Sequence, residues 1–508
     1  MKTMLFRAKK ELSRKGAKTQ MRRCGNNAGP RPKARVFLAS FLCGFAPLRE
    51  KSLRQTLNMA AFVMLIPASS AIAQTTNSSP VVGASGNPSP PQTSSLTKYV
   101  DPKIGTTADE AVAYALAHNG ELLAARKEIE AGRALVRQAS LRANPSLEIN
   151  GAKQANGPDY TTMVTGALPL ELGGRRTARI TVAERELELR EKMVADRERL
   201  LAAEVRAKFG AALAEILKLG FAEELLTTSQ RGYRLVQARV DEGRTPPLEQ
   251  NIVLVEVNRL RSMRETNEGR VEVALFELRN VIGMQPEEPL RLRGDFDRLI
   301  EPLTPISVAT ERALRERPDL ELARVAERLA AAKIAQARAE GRPDASLTAG
   351  YQRMNSSFPV SGINANGQLQ PVQDVFHFLT FGLTLNLPVR NKNQGTIEAR
   401  VADAEATKQR RAFSELTVRR EVAVAYARYQ HAARAMEIYR VGVREQANTN
   451  LDVVRQTYEL GSKTLLDYIA EQRRYIELEN GYIDALLETY VALVDVARAS
   501  ASPELMRR

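Results

Sequence analysis

Side chains able to act as metal ligands or nucleophiles are few in this chain, and they lie far apart. Its only cysteines are Cys24 and Cys43, and its only histidines are His118, His377 and His431. A zinc site needs several such ligands at short spacings, and acyl transfer needs a nucleophile beside a base. The sequence shows neither arrangement. It therefore predicts a protein that is not an enzyme and that holds no metal or other cofactor.

The basic residues of the chain are concentrated near its amino terminus. The formal net charge is +15, but residues 1–73 contain 15 Lys and Arg and only 2 Asp and Glu, so that the rest is nearly neutral. Nucleic-acid binding needs a concentrated basic surface, which this remainder lacks. The sequence therefore predicts no nucleic-acid partner. Adjacent acids such as Glu223 and Glu224 are interpreted as a solvated helix face.

Residues 1–73 have the features of an export signal. Basic residues precede the apolar run Met59–Ile66, and Ala71-Ile72-Ala73 supplies the small residues of a cleavage site. Either the basic region is unusually long for a signal peptide, or the true start codon lies further along the chain. Both cysteines belong to this leader, and neither follows a lipidation sequence. We therefore expect an exported body without disulfides or a lipid anchor.

One pattern occurs twice along the rest of the chain. Some residues recur 198 positions later, for example Arg126 as Arg324, whereas others recur 218 positions later, for example Gly243 as Gly461. The second copy therefore contains an insertion of 20 residues, and the chain is a duplicated unit. The predicted divisions are a signal peptide with a long basic leader (1–73), a disordered linker rich in Ser, Thr, Pro and Gly (74–98), a first repeat (99–300), a second repeat (301–500) and a C-terminal tail (501–508).

Each repeat begins with helices and then changes to the alternation of a β-hairpin. Thr107 and Glu110 have the spacing of a capping box, and a break near Asn119-Gly120 divides the first helical pattern. The second copy breaks at Arg317-Pro318. Strands are predicted around the alternating segments at residues 147–150, 163–170, 345–353 and 376–387, with a long loop at about 354–375. This loop holds 18 of the 20 inserted residues.

A very long helix without proline follows each hairpin, at about residues 176–242 and 394–460. At 1.5 Å per residue each would be on the order of 100 Å long, so both belong in a coiled coil or a helical tube. Gly243 and Gly461 end these helices, and new helices run to about residues 282 and 499. The second long helix has an apolar seam at Val422, Tyr426, Tyr429, Ala433, Met436, Tyr439, Val443, Ala447, Leu451, Val454 and Tyr458.

The four predicted strands, of about nine to twelve residues, have the length of tilted membrane-spanning strands. Four strands cannot close a barrel, and open edges are not tolerated in lipid. If these strands enter a membrane, several chains must contribute to one barrel. The alternative is two soluble hairpins that cap a helical bundle. Aromatic residues near the strand ends are compatible with a membrane girdle: Tyr160, Tyr351, Phe358, Phe376 and Phe378.

Three segments resemble the TolC-type outer-membrane efflux proteins, and the resemblance covers about residues 100–500. They are Arg317-Pro318-Asp319-Leu320 with Ala331–Arg338, the strand-to-helix junction Leu168–Arg176, and Tyr458–Asp467 at the second helical turn. The resemblance implies an α+β, mostly α fold. In it, a long α-helical coiled-coil barrel in the periplasm continues from a 12-stranded transmembrane β-barrel, to which each of three chains contributes two β-hairpins. It further implies a homotrimer in contact with outer-membrane lipid.

The resemblance also implies roles for residues near the second helical turn. Tyr458 and Lys463 match positions that hold the periplasmic aperture closed. Asp467 matches an acid that would form a lumenal carboxylate ring and attract cations. A second acid of the family is replaced here by Ala470. The alternatives are a seam aromatic for Tyr458 and a solvated charge for Asp467.

The tips of the helical hairpins are expected to contact a periplasmic adaptor. These tips are Gly243, Arg244 and Thr245 in the first copy and Gly461 and Ser462 in the second. The assignment depends on the resemblance, because any helical hairpin needs a glycine-containing turn.

The predicted function is an outer-membrane exit channel that does no covalent chemistry. It would receive substrates from an inner-membrane pump of the resistance-nodulation-division type through the periplasmic adaptor. The junction motif and the missing lipid cysteine most resemble channels that serve heavy-metal cation pumps. A drug-export or type I secretion duct, a periplasmic adaptor and a coiled-coil scaffold remain alternatives.

Overall fold

The computed structural model describes residues 96–300 and 303–506, apart from the side chains of Asp297, Arg298 and Met506. The leader, with both cysteines, and most of the predicted linker lie outside these residues. The linker is predicted to end at residue 98, but the first helix already begins at Leu96. It forms there because Tyr99 is buried in the main core and Leu96 packs against the same cluster.

The order helix, helix, hairpin, long helix, helix occurs twice among the described residues. The elements up to residue 300 are α1 Leu96–Tyr99, α2 Ala108–His118, α3 Gly120–Ser140, β1 Ser146–Lys153, β2 Tyr160–Pro169, α4 Arg175–Asp241, α5 Pro247–Ile282 and α6 Phe296–Leu299. The later elements are α7 Ile306–Glu316, α8 Pro318–Glu340, β3 Asp344–Ile363, β4 Leu369–Asn386, α9 Gln394–Glu437, α10 Arg444–Glu459 and α11 Leu465–Ala499, with a 3₁₀ turn at Pro503–Met506.

The helix starts follow from local hydrogen bonds and from proline. The capping box before α2 is confirmed: the Glu110 N–H donates to the Thr107 hydroxyl at 3.2 Å, and the Glu110 carboxylate accepts from the Thr107 N–H at 2.8 Å. The break between α2 and α3 falls at Asn119, whose side chain caps α3. Pro318 occupies the first turn of α8, where its missing N–H costs no helical bond.

The first long helix, α4, spans 67 residues without interruption. The second predicted helical stretch, at about 394–460, is confirmed at residues 394–459, but a π-helical segment at Ile438–Val443 lies between α9 and α10. The Arg444 N–H bonds to the Tyr439 carbonyl, five residues earlier. This wider turn brings both side chains to α11, where Tyr439 lies against Gly481 and Arg444 pairs with Glu479 at 2.8 Å.

The predicted apolar seam of the second long helix is confirmed. Each of its eleven residues is buried or half-buried, from Val422, which is fully buried, to Tyr458, which is half-buried. The first part of the seam packs against α7, α11 and the connection before α7. Its regular spacing of three and four residues is what allows one face of a long helix to remain covered.

The sheet is antiparallel, with the strand order β1-β2-β3-β4. β2 and β3 come from different repeats and pair from Tyr160↔Asn355 to Pro169↔Ser346. The two hairpins therefore form one continuous sheet. Among the described residues, β1 and β4 each pair with a strand on one side only.

The prediction of a long loop at about 354–375 is wrong. β3 and β4 extend through this region to lengths of 20 and 18 residues, and the connecting turn is confined to residues 364–368. The Asn364 side chain closes the turn by accepting from the N–H groups of Asn366 and Gln368. Pro359 causes no break because it lies in a register shift between Ser357 and Ser361. The insertion therefore lengthens a hairpin.

The main hydrophobic core lies among α2, α4, α5 and α11, with fully buried Phe209, Leu219 and Leu278 at its centre. The Arg317-Pro318-Asp319-Leu320 motif also has a structural role. The Arg317 guanidinium is buried and pairs with Asp319 at 2.5 Å and with Glu421 of α9 at 2.7 Å. It also donates to the Ala499 carbonyl of α11, so that one side chain joins three helices.

Across residues 96–300 and 303–506, we find no helical stretch with both the length and the apolar character required to cross a membrane.

We expect Phe209→Ala to lower the free energy of unfolding by about 3–5 kcal/mol, because it removes a fully buried ring from the main core. Thermal unfolding followed by helical circular dichroism measures this loss. Phe209→Leu is the matched control, since it keeps much of the buried apolar area and should be less destabilising. An unfolding temperature of Phe209→Ala equal to that of the wild type would contradict this assignment of the core.

Candidate functional site

Two helical turns lie at the ends of the long helices, away from the sheet. Gly243 and Gly461 have φ values of 74° and 76°, the left-handed region that a side chain disfavours, and both have open space around them. Arg244 forms an exposed ion pair with Glu242 at 3.2 Å. Thr245 leads into Pro246 and Pro247, which set the start of α5. The first tip is therefore stiff and exposed.

The second tip is built by a cap that sequence reasoning missed. The Thr464 hydroxyl accepts from the Asp467 N–H, and the Asp467 carboxylate accepts from the Thr464 N–H at 3.0 Å and from its hydroxyl at 2.8 Å. This capping box starts α11, and the Thr-x-x-Asp spacing would have revealed it. Ser462 and Lys463 complete the turn by donating their N–H groups to the Thr457 carbonyl.

The predicted aperture residues adopt different environments. Asp467 is exposed, and its bonds to Thr464 lower the pKa of its carboxyl, with a smaller contribution from the nearby Lys463 charge. Its carboxylate is therefore both a helix cap and a solvent-facing negative charge. The Lys463 side chain is exposed at the tip. Tyr458, in contrast, lies in the seam and is half-buried.

Tyr458 joins the two helical hairpins of the chain. Its hydroxyl donates to Glu249 of α5 at 3.5 Å, a long bond, and its ring stacks on Tyr468 of α11 with centroids 6.0 Å apart. Burial, and then the Glu249 charge, raise the pKa of the Tyr458 hydroxyl, so it remains a hydrogen-bond donor. Tyr458 is therefore both a seam residue and a link between α10 and α5.

A stronger link between the hairpins lies deeper and was missed from the sequence. The Glu256 carboxylate of α5 is almost fully buried, and it pairs with Arg473 of α11 at 2.9 Å and with Arg259 at 2.6 Å. Burial alone would raise the pKa of Glu256, but the two arginines together lower it. Glu256 and Arg473 are 217 residues apart, so no local pattern could reveal the pair.

The part of the chain that the structure describes contains no group of three His, Cys, Asp or Glu side chains able to hold a metal. The histidines lie apart: His118 contacts Tyr114, His377 contacts Tyr351, and His431 is exposed. The interpretation of Glu223 and Glu224 as solvated is confirmed for Glu224, which is exposed, and is wrong for Glu223. Its side chain is mostly buried beside the Arg264 guanidinium at 3.6 Å, because α4 and α5 pack there.

The sheet has one apolar face. Registered rows place Leu383 of β4 beside Leu347 and Leu168, Phe381 beside Ala349, and Leu379 beside Tyr351, Val164 and Ile149. Phe381 is 81% exposed and Leu379 is 74% exposed. A contiguous band of bulky, exposed apolar side chains marks a surface that contacts a membrane or another protein. We call this surface the apolar face.

The opposite face of the sheet is mostly polar. It carries Glu148, Asn150, Thr165, Ser346, Thr348, Gln352, Thr380 and Thr384. Two of the aromatic residues predicted to lie in a girdle, Phe376 and Phe378, are on this polar face, because their register pairs them with Met354 and Gln352. A third, Phe358, lies inside the lengthened β3. Of the five residues predicted to lie in the girdle, Tyr160 and Tyr351 are on the apolar face.

Sequence comparisons agree with this architecture. The model of the outer membrane efflux protein family matches residues 111–284 and 309–502. The cobalt-zinc-cadmium resistance protein CzcC of Cupriavidus metallidurans is 22% identical over 392 residues, which cover 77% of this chain and 89% of CzcC. The outer membrane protein OprJ of Pseudomonas aeruginosa is 25% identical over 303 residues, which cover 59% of this chain and 60% of OprJ.

Solved structures show the same fold. CusC aligns with a TM-score of 0.65 at 20% identity, over 78% of this chain and 92% of that chain. The open state of the MtrE outer membrane channel of Neisseria gonorrhoeae aligns with a TM-score of 0.61 at 20% identity, over 80% of this chain and 91% of MtrE. The mostly α, α+β prediction is thereby confirmed, and the fold is that of transport channels rather than of enzymes. Because the family model matches most of the sequence in both copies, this chain belongs to the outer membrane efflux protein family.

Proposed function

We propose that three copies of this chain form the exit duct of a tripartite efflux system in the outer membrane. The observation that carries the proposal is a sheet with one apolar face and two unpaired edges, β1 and β4. Unpaired edges are not tolerated in lipid. Three four-stranded sheets joined edge to edge give a closed 12-stranded barrel, which removes every edge.

The two faces of the sheet fit such a barrel. The apolar face, from Leu379 of β4 to Leu387 just after this strand, spans on the order of 20 Å once a strand tilt of roughly 40° is included, close to the apolar band of known barrels. The polar face would line the lumen. On β3 the polar-face residues from Ser346 to Met354 are the less exposed set, as expected for the inside of a curved sheet.

The long helices also present apolar side chains that one chain leaves uncovered. On the helical stretch that includes α9 and α10, Phe413, Ile438, Val441 and Leu460 are each at least 60% exposed. Burial of apolar surface is the main driving force for association of helices in water. These side chains support a homotrimer in which the helices of neighbouring copies close a periplasmic tube.

The two helical tips fit contact with a periplasmic adaptor. Gly243, Arg244 and Thr245 form one exposed tip, and Gly461 and Ser462 form the other. In this proposal an inner-membrane pump of the resistance-nodulation-division type delivers substrates through that adaptor. Closure of the tube near the tips would depend on Tyr458, Lys463 and the lumenal charge of Asp467, with the Glu256–Arg473 pair as a second link.

The proposed cargo is a heavy-metal cation. CzcC, a relative that aligns over most of its length, is a cobalt-zinc-cadmium resistance protein, and a ring of Asp467 carboxylates would favour cations over anions. OprJ, with a shorter alignment, leaves a drug-efflux duct as the second candidate. Deleting the gene should sensitise cells to cobalt, zinc or cadmium salts. Sensitisation to organic drugs alone would favour the second candidate.

We expect Leu383→Arg to reduce the amount of heat-modifiable trimer in the outer membrane several-fold. An arginine on the lipid-facing side near the bilayer midplane costs about 2–4 kcal/mol, and Leu383 is 60% exposed on the apolar face. Membrane fractionation followed by semi-native electrophoresis measures the trimer. Thr384→Arg is the matched control, because the next residue points to the polar face and should assemble normally. Equal loss of trimer in both variants would contradict the assignment of the faces.

We expect Tyr458→Phe to raise single-channel conductance several-fold. The variant keeps the stacking on Tyr468 but removes the hydroxyl that bonds to Glu249. Planar-bilayer recordings of the purified trimer measure the change. Tyr475→Phe is the control, since that hydroxyl on α11 makes no hydrogen bond to a described residue. If the conductance of Tyr458→Phe matches that of the control, the hydroxyl does not hold the aperture closed.

We expect Asp467→Asn to weaken block of the channel by divalent or trivalent cations at least tenfold. Asparagine keeps a side-chain oxygen for the capping bonds to Thr464 while removing the charge. Block is measured from single-channel currents with added cation. Asp403→Asn, which neutralises an exposed acid of α9 near the sheet, should leave block unchanged. Wild-type block in Asp467→Asn would remove this residue from the lumenal ring.

A further inference from the structure

The apolar face of the sheet ends in a basic and aromatic cluster. The last apolar row is Ile149, Val164, Tyr351 and Leu379, and the next row on the same face contains Thr162, Arg353 and His377. One row further, Lys153 pairs with Tyr160. Rows on one face lie about 7 Å apart. The change from apolar to polar and basic residues is therefore abrupt, and the basic residues come from β1, β3 and β4.

Arg353 is held in place without a carboxylate. Its guanidinium lies over the Tyr160 ring, 5.5 Å from the centroid, and the side chain is exposed. Among the described residues no acid forms an ion pair with it. Stacking on an aromatic ring orders the planar guanidinium and leaves its N–H donors free. A guanidinium held in this way is suited to donate two parallel hydrogen bonds to a phosphate.

His377 and Tyr351 form a second fixed element of the cluster. The Tyr351 hydroxyl and His377 Nδ1 are 2.5 Å apart, and the two rings are stacked with centroids 5.9 Å apart. When the hydroxyl donates to Nδ1, the neutral imidazole carries its proton on Nε2. That N–H is then a further donor beside the Arg353 guanidinium, with which His377 is in direct register.

Acidic groups near the cluster either lie on the opposite face of the sheet or already accept hydrogen bonds from other residues. Glu148 lies on the polar face. The Asp159 carboxylate accepts from the Ser357 N–H at 2.8 Å and from its hydroxyl at 2.5 Å. Lys153, exposed at the end of β1, adds a second full positive charge. The cluster therefore has two full positive charges, of which Arg353 is held by stacking, and several donors, with no carboxylate on this face to neutralise them.

The cluster lies on the side of the apolar band that points toward the hairpin turn at residues 364–368. The helices begin at the other side of the band, so in the proposed duct the cluster faces the outer leaflet. We propose that Lys153, Arg353 and His377 form a binding site for the phosphate groups of the anionic lipopolysaccharide of that leaflet, with Tyr160 and Tyr351 as its aromatic floor. This inference rests on the proposed outer-membrane function.

The test uses the purified full-length trimer and native mass spectrometry. Purified lipopolysaccharide is titrated in, beside the same material dephosphorylated and beside inorganic phosphate. We expect binding of intact lipopolysaccharide to fall at least tenfold in the Lys153→Gln, Arg353→Gln double variant. The matched control, Arg390→Gln with Lys392→Gln, neutralises two exposed basic residues at the helical side of the hairpin and should bind as the wild type does.

Two results would overturn the inference. One is equal affinity of the wild-type trimer for intact and dephosphorylated lipopolysaccharide, which would show that the contact is apolar. The other is equal affinity of the double variant and the wild type. Tight binding of inorganic phosphate alone would also contradict a lipid site. Failure of the wild-type chain to reach the outer membrane as a trimer is a different outcome, which would refute the proposed function itself.

Discussion

In the described part of the chain, the outer edges of β1 and β4 have no partner strand. Backbone N–H and C=O groups at a sheet edge must find partners, and lipid offers none. The same strands carry the exposed apolar face, which includes Phe381 and Leu379 and is unfavourable in contact with water. Both requirements are met when copies of the chain join edge to edge. Helices about 100 Å long, fixed to the ends of these strands, then form a tube.

The helical end of the chain combines weak and strong links between its two hairpins. The Tyr458–Glu249 bond is long, at 3.5 Å, and lies near the tips. The Glu256–Arg473 pair is shorter, at 2.9 Å, and its carboxylate is almost fully buried. A buried charge that loses its partner is costly. In the proposed duct, the tips would therefore separate at a lower free-energy cost than the layer that holds the Glu256–Arg473 pair, and opening would begin close to the end of the tube.

Local patterns in the sequence predicted much of this fold. They did not predict contacts between residues that are distant in the sequence, or that a strand would continue through a proline. The Thr107 capping box, the glycine turns and the seam depend on residues within a few positions, and all three were confirmed. The hairpin extension was missed because proline and asparagine favour loops, yet a register shift accommodates Pro359. The Glu256–Arg473 pair joins residues 217 positions apart. The Asp467 cap was readable but was overlooked in favour of a channel role.

The proposed duct requires three chains to share one closed barrel. Electron cryomicroscopy of the purified particle in lipid nanodiscs tests it most directly. We expect threefold symmetry, a single barrel of 12 strands with β1 of each copy paired to β4 of a neighbour, and a helical tube extending on the order of 100 Å from the barrel. A monomeric or twofold particle, or a threefold particle in which the edges of β1 and β4 remain unpaired, would contradict this expectation.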